Sequence, residues 1–334
     1  MTVRVAAIGV NHWHSLYDMA YLPQLQKIPG VEIVGIHDDD NGVATHRVEA
    51  LGGGIPMFTR YKAMLSETRP DLVLVLDRHD KMAAIAEDLL DRPMPFIIEK
   101  PAGFNAEQLR RSVDKADAPD RFAAVPFQQR YSPLIEHARR FLDDGSLGPM
   151  RHFYSRLNRP TSARYPPWGS GWMLDPEFSN GGCLRNLGSH GLDCFVYLTG
   201  EGEDIGVTGA QLSWSTHERA VEDYATVMLS TGRGILGTIE VGNVFPSDGR
   251  DGEMKVDFQE GILKLEGSTV RLYTKSGSQT LPVLPDPPSI LEKIVGALIA
   301  GDRPPVGIRD CYLAVRLIDQ AYVAAGNPYG TASV

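Results

Sequence analysis

Lys100 is the residue of this sequence most plainly placed for chemistry, because it ends the short segment 96–101 (FIIEKP). Pro95 and Pro101 bracket an apolar run there, and a short run that is apolar on both faces is typical of a buried strand. Open α/β sheets bind ligands at the carboxyl ends of their strands, so Glu99 and Lys100 are predicted to stand at a ligand-binding edge. Taken alone, however, a Glu-Lys-Pro sequence such as 99–101 is more often an ordinary strand end with a solvated lysine.

A second candidate site is the turn 9–15 (GVNHWHS), between a predicted strand and a predicted helix. In dinucleotide-binding βαβ units this turn has the pattern G-x-G-x-x-G, which lets the backbone approach a pyrophosphate at a helix N-terminus. Gly9 keeps the first glycine, Asn11 can adopt the positive φ of the second, and His14 replaces the third. The residues of this turn predicted to contact the cofactor are Gly9, Asn11, His12, Trp13 and His14.

Acidic residues follow two further predicted strands. Asp38 and Asp39 follow the strand 31–36, and Asp77 follows the strand 72–76. A carboxylate after the second strand hydrogen-bonds ribose hydroxyls and repels a 2′-phosphate. The predicted cofactor is therefore NAD, with NADP less favoured, and all three aspartates are predicted cofactor contacts.

Histidines near the same edge raise a metal-binding alternative. His12 and His14 would need His37 as a partner, and zinc sites require three or four placed ligands. No fourth ligand is evident in the sequence. The sequence therefore predicts no metal site, and the imidazoles are interpreted as lining a phosphate or substrate pocket.

A polar stripe marks the predicted helix 184–198. Asn186, His190, Asp193 and Tyr197 recur at i, i+4, i+7 and i+11 on an otherwise apolar helix. One interpretation is a core histidine bonded to Asp193. The other is a proton shuttle that titrates near neutrality, with Asp193 setting the tautomer of His190.

Composition narrows the class of protein. A chain of 334 residues, 43% hydrophobic and 22% charged, is long enough for two domains with separate cores. A net charge of −9 gives no electrostatic footprint for nucleic acid or for an anionic membrane surface. Three dispersed cysteines indicate buried thiols in a reducing compartment. With no signal-like segment at the start and no long apolar run, the expected location is the cytoplasm.

The order of predicted elements indicates two domains. The first hundred residues alternate strands with helices, including a first helix over 15–28, which predicts a doubly wound parallel sheet. A strand is predicted over 122–126. From Arg151 onward strands dominate and hairpin-like connections predict an antiparallel sheet. The predicted division is 1–124 for the dinucleotide-binding domain and 125–334 for a substrate-binding and oligomerisation domain.

These features, in their order, resemble the glucose-fructose oxidoreductase, inositol dehydrogenase and MocA (Gfo/Idh/MocA) family. The resemblance implies an α/β Rossmann domain followed by an α+β domain with an open, mostly antiparallel sheet. It also implies a homodimer or homotetramer. The matching segments are 3–9, 36–40, 99–101, 130–133, 145–148, 180–182, 187–193 and 221–225.

The resemblance also implies residue roles. Lys100, with Glu99 beside it, would lie near the nicotinamide and the substrate hydroxyl, and His190 would be the general acid/base. Asn186 stands where the family has an aspartate. Asparagine keeps the hydrogen-bonding reach of aspartate but lacks its charge. A further departure is the segment 77–82 (DRHDKM), where the family commonly has T-P-N-x-x-H.

Four other residues are candidate substrate contacts. Trp172, in the Gly- and Pro-rich loop 166–172, is placed to stack on a sugar face, as is Trp168. Arg130 and Arg185 are candidates too, although structural ion pairs explain them equally well. The residues predicted for substrate binding are Lys100, Arg130, Trp172, Arg185, Asn186 and His190, and those predicted for catalysis are Lys100, His190 and Asn186.

The function predicted from the sequence is NAD-dependent oxidation of a secondary hydroxyl on a sugar, polyol or related cyclic compound. One alternative is an enzyme with no net redox change, in which transient oxidation permits elimination, hydrolysis or epimerisation. The other is a non-catalytic regulator that keeps the fold and senses a ligand. The altered glycine turn and Asn186 favour the regulator, whereas Lys100 and His190 oppose it.

Overall fold

The chain forms two compact units in the computed structural model, which describes residues 2–284, 288–327 and 329. The first unit comprises the described residues within 1–126, 163–180 and 288–312, and the second comprises the rest. The first change of unit falls close to the predicted boundary at 124/125. The predicted second domain was continuous, whereas two later segments belong to the first unit.

The first unit is built on a six-stranded parallel sheet with the order β3-β2-β1-β4-β5-β6. The three central strands are fully or almost fully buried, because helices cover a parallel sheet on both faces. The predicted doubly wound domain is thereby confirmed. Its strands are β1 (Val3–Ile8), β2 (Val31–His37), β3 (Met57–Phe58), β4 (Leu72–Val75), β5 (Phe96–Ile98) and β6 (Ala123–Ala124).

The second unit is built on an eight-stranded sheet with the order β14-β13-β12-β11-β7-β10-β9-β8. Every neighbouring pair is antiparallel except β7 and β10, so the predicted open, mostly antiparallel sheet is confirmed. Its strands are β7 (Met150–Pro160), β8 (Gly206–Ser213), β9 (Tyr224–Ser230), β10 (Leu236–Phe245), β11 (Asp251–Phe258), β12 (Gly261–Glu266), β13 (Thr269–Thr274) and β14 (Gly277–Thr280).

Among the described residues, no helix is both long enough and apolar enough to span a membrane.

In chain order the α-helices are α1 (Tyr21–Lys27), α2 (Asn41–Ala50), α3 (Tyr61–Thr68), α4 (His79–Asp91), α5 (Ala106–Ala116), α6 (Pro133–Asp144), α7 (Pro176–Ser179), α8 (Ser189–Thr199), α9 (Ile290–Ala300) and α10 (Ile308–Ala324).

The first helix differs from its prediction. A 3-10 turn occupies Trp13–Ser15, and α1 begins only at Tyr21 instead of at residue 15. Asp18 and Ala20 have φ values of 52° and 45°, which an α-helix cannot accommodate. The predicted helix over 15–28 is therefore wrong in its first turn and a half.

Two other elements are shorter or differently wound than expected. The strand predicted over 122–126 is only β6, because the Val125 amide turns to the Val306 carbonyl. The helix predicted over 184–198 begins with a π-helical turn, Leu184–Gly188, before α8. The polar stripe on that helix was predicted from α-helical spacing alone.

Candidate active site

Lys100 lies just beyond the carboxyl end of β5, as its sequence position predicts. It is 2% exposed, so the structure does not support the solvated lysine. Its Nζ lies 3.9 Å from Oε1 of Glu99. Burial lowers the pKa of Lys100, while the Glu99 carboxylate acts in the opposite direction.

Glu99 is the centre of a buried polar cluster. Its side chain is fully buried, and its Oε1 lies 3.2 Å from Nδ1 of His14. Burial raises the pKa of Glu99, and burial together with the nearby Glu99 carboxylate raises the pKa of Tyr21. His12 is also fully buried, and burial holds its pKa well below the usual value.

The glycine turn keeps one family feature and changes another. Gly9 has a φ of 64°, and a Cβ at this position would overlap the Asp77 side chain, so glycine is required. Asn11 does not take the positive φ that would let it serve as the second glycine. Its Nδ2 instead donates to Oδ2 of Asp38 at 3.3 Å and to Oδ1 of Asp77 at 3.1 Å. Asn11 therefore bridges two carboxylates.

Aromatic side chains of the first unit enclose the same turn. The Trp13 ring is stacked on His12, with centroids 3.8 Å apart, and lies 4.8 Å from the Tyr165 ring. Trp172 lies edge-on to His79 at 4.9 Å. The side chains of His12, Trp13 and His14 thus point into the first unit and not towards solvent.

Backbone contacts tie the segment 163–180 to the turn. Arg47 donates from Nη2 to the Trp168 carbonyl at 2.8 Å and from Nε to the Val10 carbonyl at 3.1 Å. The Ser170 hydroxyl donates to the Asn11 carbonyl. Sequence reasoning missed Arg47, Tyr165 and His79 as neighbours of the turn, and its only signal was the aromatic, Gly- and Pro-rich composition of 166–172.

A cavity of about 580 Å³ lies at the carboxyl ends of β2 and β3. Asp39 is among its lining residues, and Asp38, which precedes it in the chain, is buried. Burial raises the pKa of Asp38, and its Oδ1 accepts the Asp40 amide at 2.9 Å. Asp39 is paired with Lys81. The cavity, Gly9 and the acids fit the adenosine end of a dinucleotide. The cavity is lined by His37, Asp39, Thr59, Arg60, Tyr61, Lys62 and Ala63.

In the second unit, Arg130 and Asp193 form a buried two-bond ion pair. Arg130 Nε and Nη2 donate to the two carboxylate oxygens of Asp193 at 2.8 and 2.6 Å. The guanidinium also lies over the Tyr197 ring, 4.8 Å from its centroid. Both oxygens of Asp193 thus accept hydrogen bonds from Arg130, and the role of Asp193 in setting the His190 tautomer stays a prediction.

The remaining predicted residues of the second unit lie on the π-helical turn and α8. Asn186 belongs to the π-helical turn, and His190 follows in the first turn of α8, edge-on to Phe127 at 6.2 Å. Arg185 is fully buried, donates to Asp319 at 2.8 Å and lies over the Tyr322 ring. π-Helical turns occur frequently at functional sites.

Glu222 caps the start of that turn. Its carboxylate accepts the amides of Gly182 at 2.8 Å and Leu184 at 2.9 Å, and the Tyr322 hydroxyl at 2.8 Å. A Cβ on Gly182 would overlap the Glu222 backbone. Sequence reasoning gave Glu222 no role, although it lies in the segment 221–225 that carried the family resemblance.

The structure thus divides the predicted residues. The first unit brings together the turn, the acids and Lys100, with Trp172 against His79. The second unit holds Arg130, Arg185, Asn186 and His190. The predicted site residues that lie in the first unit are Gly9, Asn11, His12, Trp13, His14, Asp38, Asp39, Asp77, Glu99, Lys100 and Trp172.

Comparison with known proteins agrees with this division. Residues 3–127 match the NAD-binding Rossmann fold of the Gfo/Idh/MocA oxidoreductase family, and residues 135–264 match the Gfo/Idh/MocA C-terminal domain. The chain belongs to this family. The predicted family is confirmed, and NAD, the cofactor of this Rossmann domain, is confirmed with it.

Curated relatives of this family member include dehydrogenases. It is 24% identical to the rhizopine catabolism protein MocA of Rhizobium meliloti over 65% of each chain. It is 26% identical to the D-glucoside 3-dehydrogenase of Escherichia coli over 59% of this chain and 54% of that one. The chain thus spans less than two thirds of the length of these relatives.

Solved structures extend the likeness to nearly the whole length. A levoglucosan dehydrogenase in complex with NADH superposes with a TM-score of 0.80 at 18% identity, covering 98% of this chain and 97% of that one. An Agrobacterium radiobacter oxidoreductase in complex with NAD+, L-tartaric acid and magnesium gives a TM-score of 0.81 at 17% identity, with the same coverage. At these identities the likeness establishes the fold.

Proposed function

We propose that this protein is a dehydrogenase that oxidises a secondary hydroxyl of a sugar, a polyol or a related cyclic compound. The observation that carries this proposal is the buried Lys100 at the carboxyl end of β5, in a Rossmann domain with a fitting cavity. NAD, when bound, supplies the hydride acceptor. The names of the glucoside and levoglucosan dehydrogenases among the relatives support a sugar-like substrate.

In this proposal the proton of the substrate hydroxyl is handled by side chains of this chain. His190 removes it as general base, and Lys100 donates a hydrogen bond to the same oxygen. Asn186 orients a neighbouring hydroxyl, because its amide both donates and accepts hydrogen bonds. Arg185 and Arg130 hold protein carboxylates, so their part in substrate binding is proposed as indirect, through the position of Asn186 and α8.

Asp38 and Asp39 support a preference for NAD over NADP. Asp38 is buried just beyond the end of β2 and precedes the cavity-lining Asp39, and a carboxylate at this position would accept a ribose hydroxyl and repel a 2′-phosphate. Asp39 is partly neutralised by Lys81, so Asp38 is proposed as the main determinant.

The test is a substrate screen followed by matched variants. Purified protein with NAD is assayed for formation of reduced nicotinamide on glucosides, levoglucosan, inositols and open-chain polyols. On the best substrate, Lys100→Met and His190→Ala should each lower turnover by about 10² to 10⁴ fold and leave NAD affinity within a few fold. Lys115→Met, at an exposed ion pair, and His152→Ala, on β7, are the controls.

The double variant sharpens this test. If Lys100 and His190 serve one step, Lys100→Met/His190→Ala costs much less than the product of the single losses, because groups acting as a unit are non-additive. Unchanged turnover in both single variants, on a substrate that wild type oxidises, would refute the proposed chemistry.

We also propose that residues 1–124 bind the cofactor and that 125–334 bind substrate and join subunits into a homodimer or homotetramer. The exposed apolar residues Met228, Leu236 and Ile262 of the second unit support subunit contact through its sheet. Light scattering on the purified protein measures its oligomeric state directly. Replacing Met228 and Leu236 with lysine should give monomers.

A further inference from the structure

Three potential metal ligands meet in the first unit. His12, His14 and Glu99 are all buried, and one ligand atom from each lies within 4.8 Å of the others. The sequence pointed to His12 and His14 but paired them with His37, because nothing in the spacing brings Glu99, some 85 residues further on, to the turn. The fold supplies the carboxylate that the sequence reasoning lacked.

We propose that His12, His14 and Glu99 bind a divalent transition-metal ion of the zinc class. Two imidazoles and one carboxylate, with further positions open, are the ligand set of many catalytic zinc sites. The inference concerns metal binding and goes beyond the proposed dehydrogenation, which needs no metal.

The distance between His14 and Glu99 fits two ligands of one ion. Nδ1 of His14 and Oε1 of Glu99 are 3.2 Å apart. Ligand bonds of about 2.1 Å to each would enclose an angle of roughly 100°, near the tetrahedral value. The three ligand atoms all lie within 4.8 Å of one another, so a pair at this limit must close by about 1.4 Å to reach the tetrahedral spacing of about 3.4 Å.

One atom of the cluster carries the inference further than proximity. Within the described ranges, Nε2 of His12 is buried and has no hydrogen-bond partner. Buried polar atoms of this kind are rare in native proteins and require an explanation, such as a bound ion. Nδ1 of His12 accepts the His14 amide at 3.2 Å, a long contact that is given up when the ring proton moves to Nδ1 and Nε2 binds metal.

The positive charge of Lys100 should weaken metal binding, so its removal gives a test with a predicted direction. Its Nζ lies 3.9 Å from the same Oε1 of Glu99 that would bind the ion. A lysine ammonium and a divalent cation on one carboxylate repel each other strongly in a buried site. Removal of the lysine charge should therefore tighten metal binding.

The experiment measures metal content and does not use turnover. The full-length protein is stripped with a chelator, loaded with Zn²⁺, desalted and analysed for metal, and a parallel sample is titrated with Co²⁺ and followed by its visible absorption. We expect one ion per chain in wild type, and loss of the ion in His14→Gln and Glu99→Gln. His37→Asn, the alternative third ligand, should keep it.

Lys100→Met provides a second test that leaves every ligand in place. It should bind Co²⁺ at least tenfold more tightly than wild type, so the inference stays testable if Glu99→Gln fails to fold. Wild type that retains no Zn²⁺ and shows no Co²⁺ spectrum would overturn the inference. Equal retention by wild type, His14→Gln and Glu99→Gln would overturn it too, leaving His14 and Glu99 as a purely structural hydrogen-bonded pair.

Discussion

Replacing Asp193 with asparagine is expected to destabilise the protein by about 3 kcal/mol. The Arg130 and Asp193 side chains are 7% and 1% exposed, and the two bonds between them measure 2.6 and 2.8 Å. Breaking a buried pair by removing one charge typically costs about 3–5 kcal/mol, because the remaining ion stays buried and uncompensated. Asparagine keeps one oxygen as an acceptor, which places the loss at the lower end of this range.

Thermal unfolding followed by circular dichroism measures the effect. At about 2–4 °C per kcal/mol for a domain of this size, the melting temperature of Asp193→Asn should fall by roughly 6–12 °C. Asp143→Asn is the matched control. It breaks the exposed pair of Asp143 with Arg139, whose side chains are 58% and 42% exposed, so a loss of no more than about 0.5 kcal/mol is expected.

The double variant Arg130→Met/Asp193→Leu separates charge from packing. Because it buries no unpaired ion, it should melt at a higher temperature than Asp193→Asn. If Asp193→Asn and Asp143→Asn shift the melting temperature equally, the argument from burial is refuted. If Arg130→Met/Asp193→Leu melts lowest of all, Arg130 and Asp193 stabilise the unit by more than charge pairing.

Three further changes test the remaining geometry. Burial raises the pKa of Asp38, so the preference for NAD over NADP should shrink as the pH falls and the carboxyl gains its proton. Fluorescence titrations with NAD and NADP at several pH values measure this preference. Asp38→Asn is the control that carries no charge. Asn11→Gly should weaken NAD binding several fold, because it leaves Asp38 and Asp77 without their shared donor; equal affinity would show that the bridge does not shape the site. Glu222→Gln should lower stability by about 1–3 kcal/mol, since its amide group turns a donor towards the Gly182 or Leu184 N–H, and chemical denaturation compares it with the milder Tyr322→Phe.

The sequence was most informative where local pattern decides structure. Alternation of strands and helices predicted the parallel sheet, and the apolar run before Glu99 predicted a strand end with Lys100 just beyond it. It was least informative where backbone geometry departs from regular spacing. The positive φ of Ala20 and the π-helical turn before α8 leave no local signature, so the predicted start of α1 is wrong and the prediction lacks the π-helical turn.

Long-range contacts account for the other differences. The sequence predicts Asn11 as a substitute for glycine, whereas in the structure Asp38 and Asp77 arrive from two other strand ends to accept its amide hydrogens. The segment 163–180 was assigned with its sequence neighbours, but Ser170 and Trp168 bind the first unit through Asn11 and Arg47. Neither partner is near in sequence, so no pattern over a short window could reveal it.

Glu222 shows how two separate stretches of the family resemblance form one structural unit. The stretch 180–182 supplies Gly182, whose missing side chain lets the backbone of Glu222 approach. The stretch 221–225 supplies the carboxylate that takes two amides at the start of the turn carrying Asn186. Tyr322 of α10 donates to the same carboxylate, so Glu222 accepts three hydrogen bonds at the start of that turn. The Glu222 carboxylate therefore fixes the start of the turn that carries Asn186 and leads into α8, which carries His190.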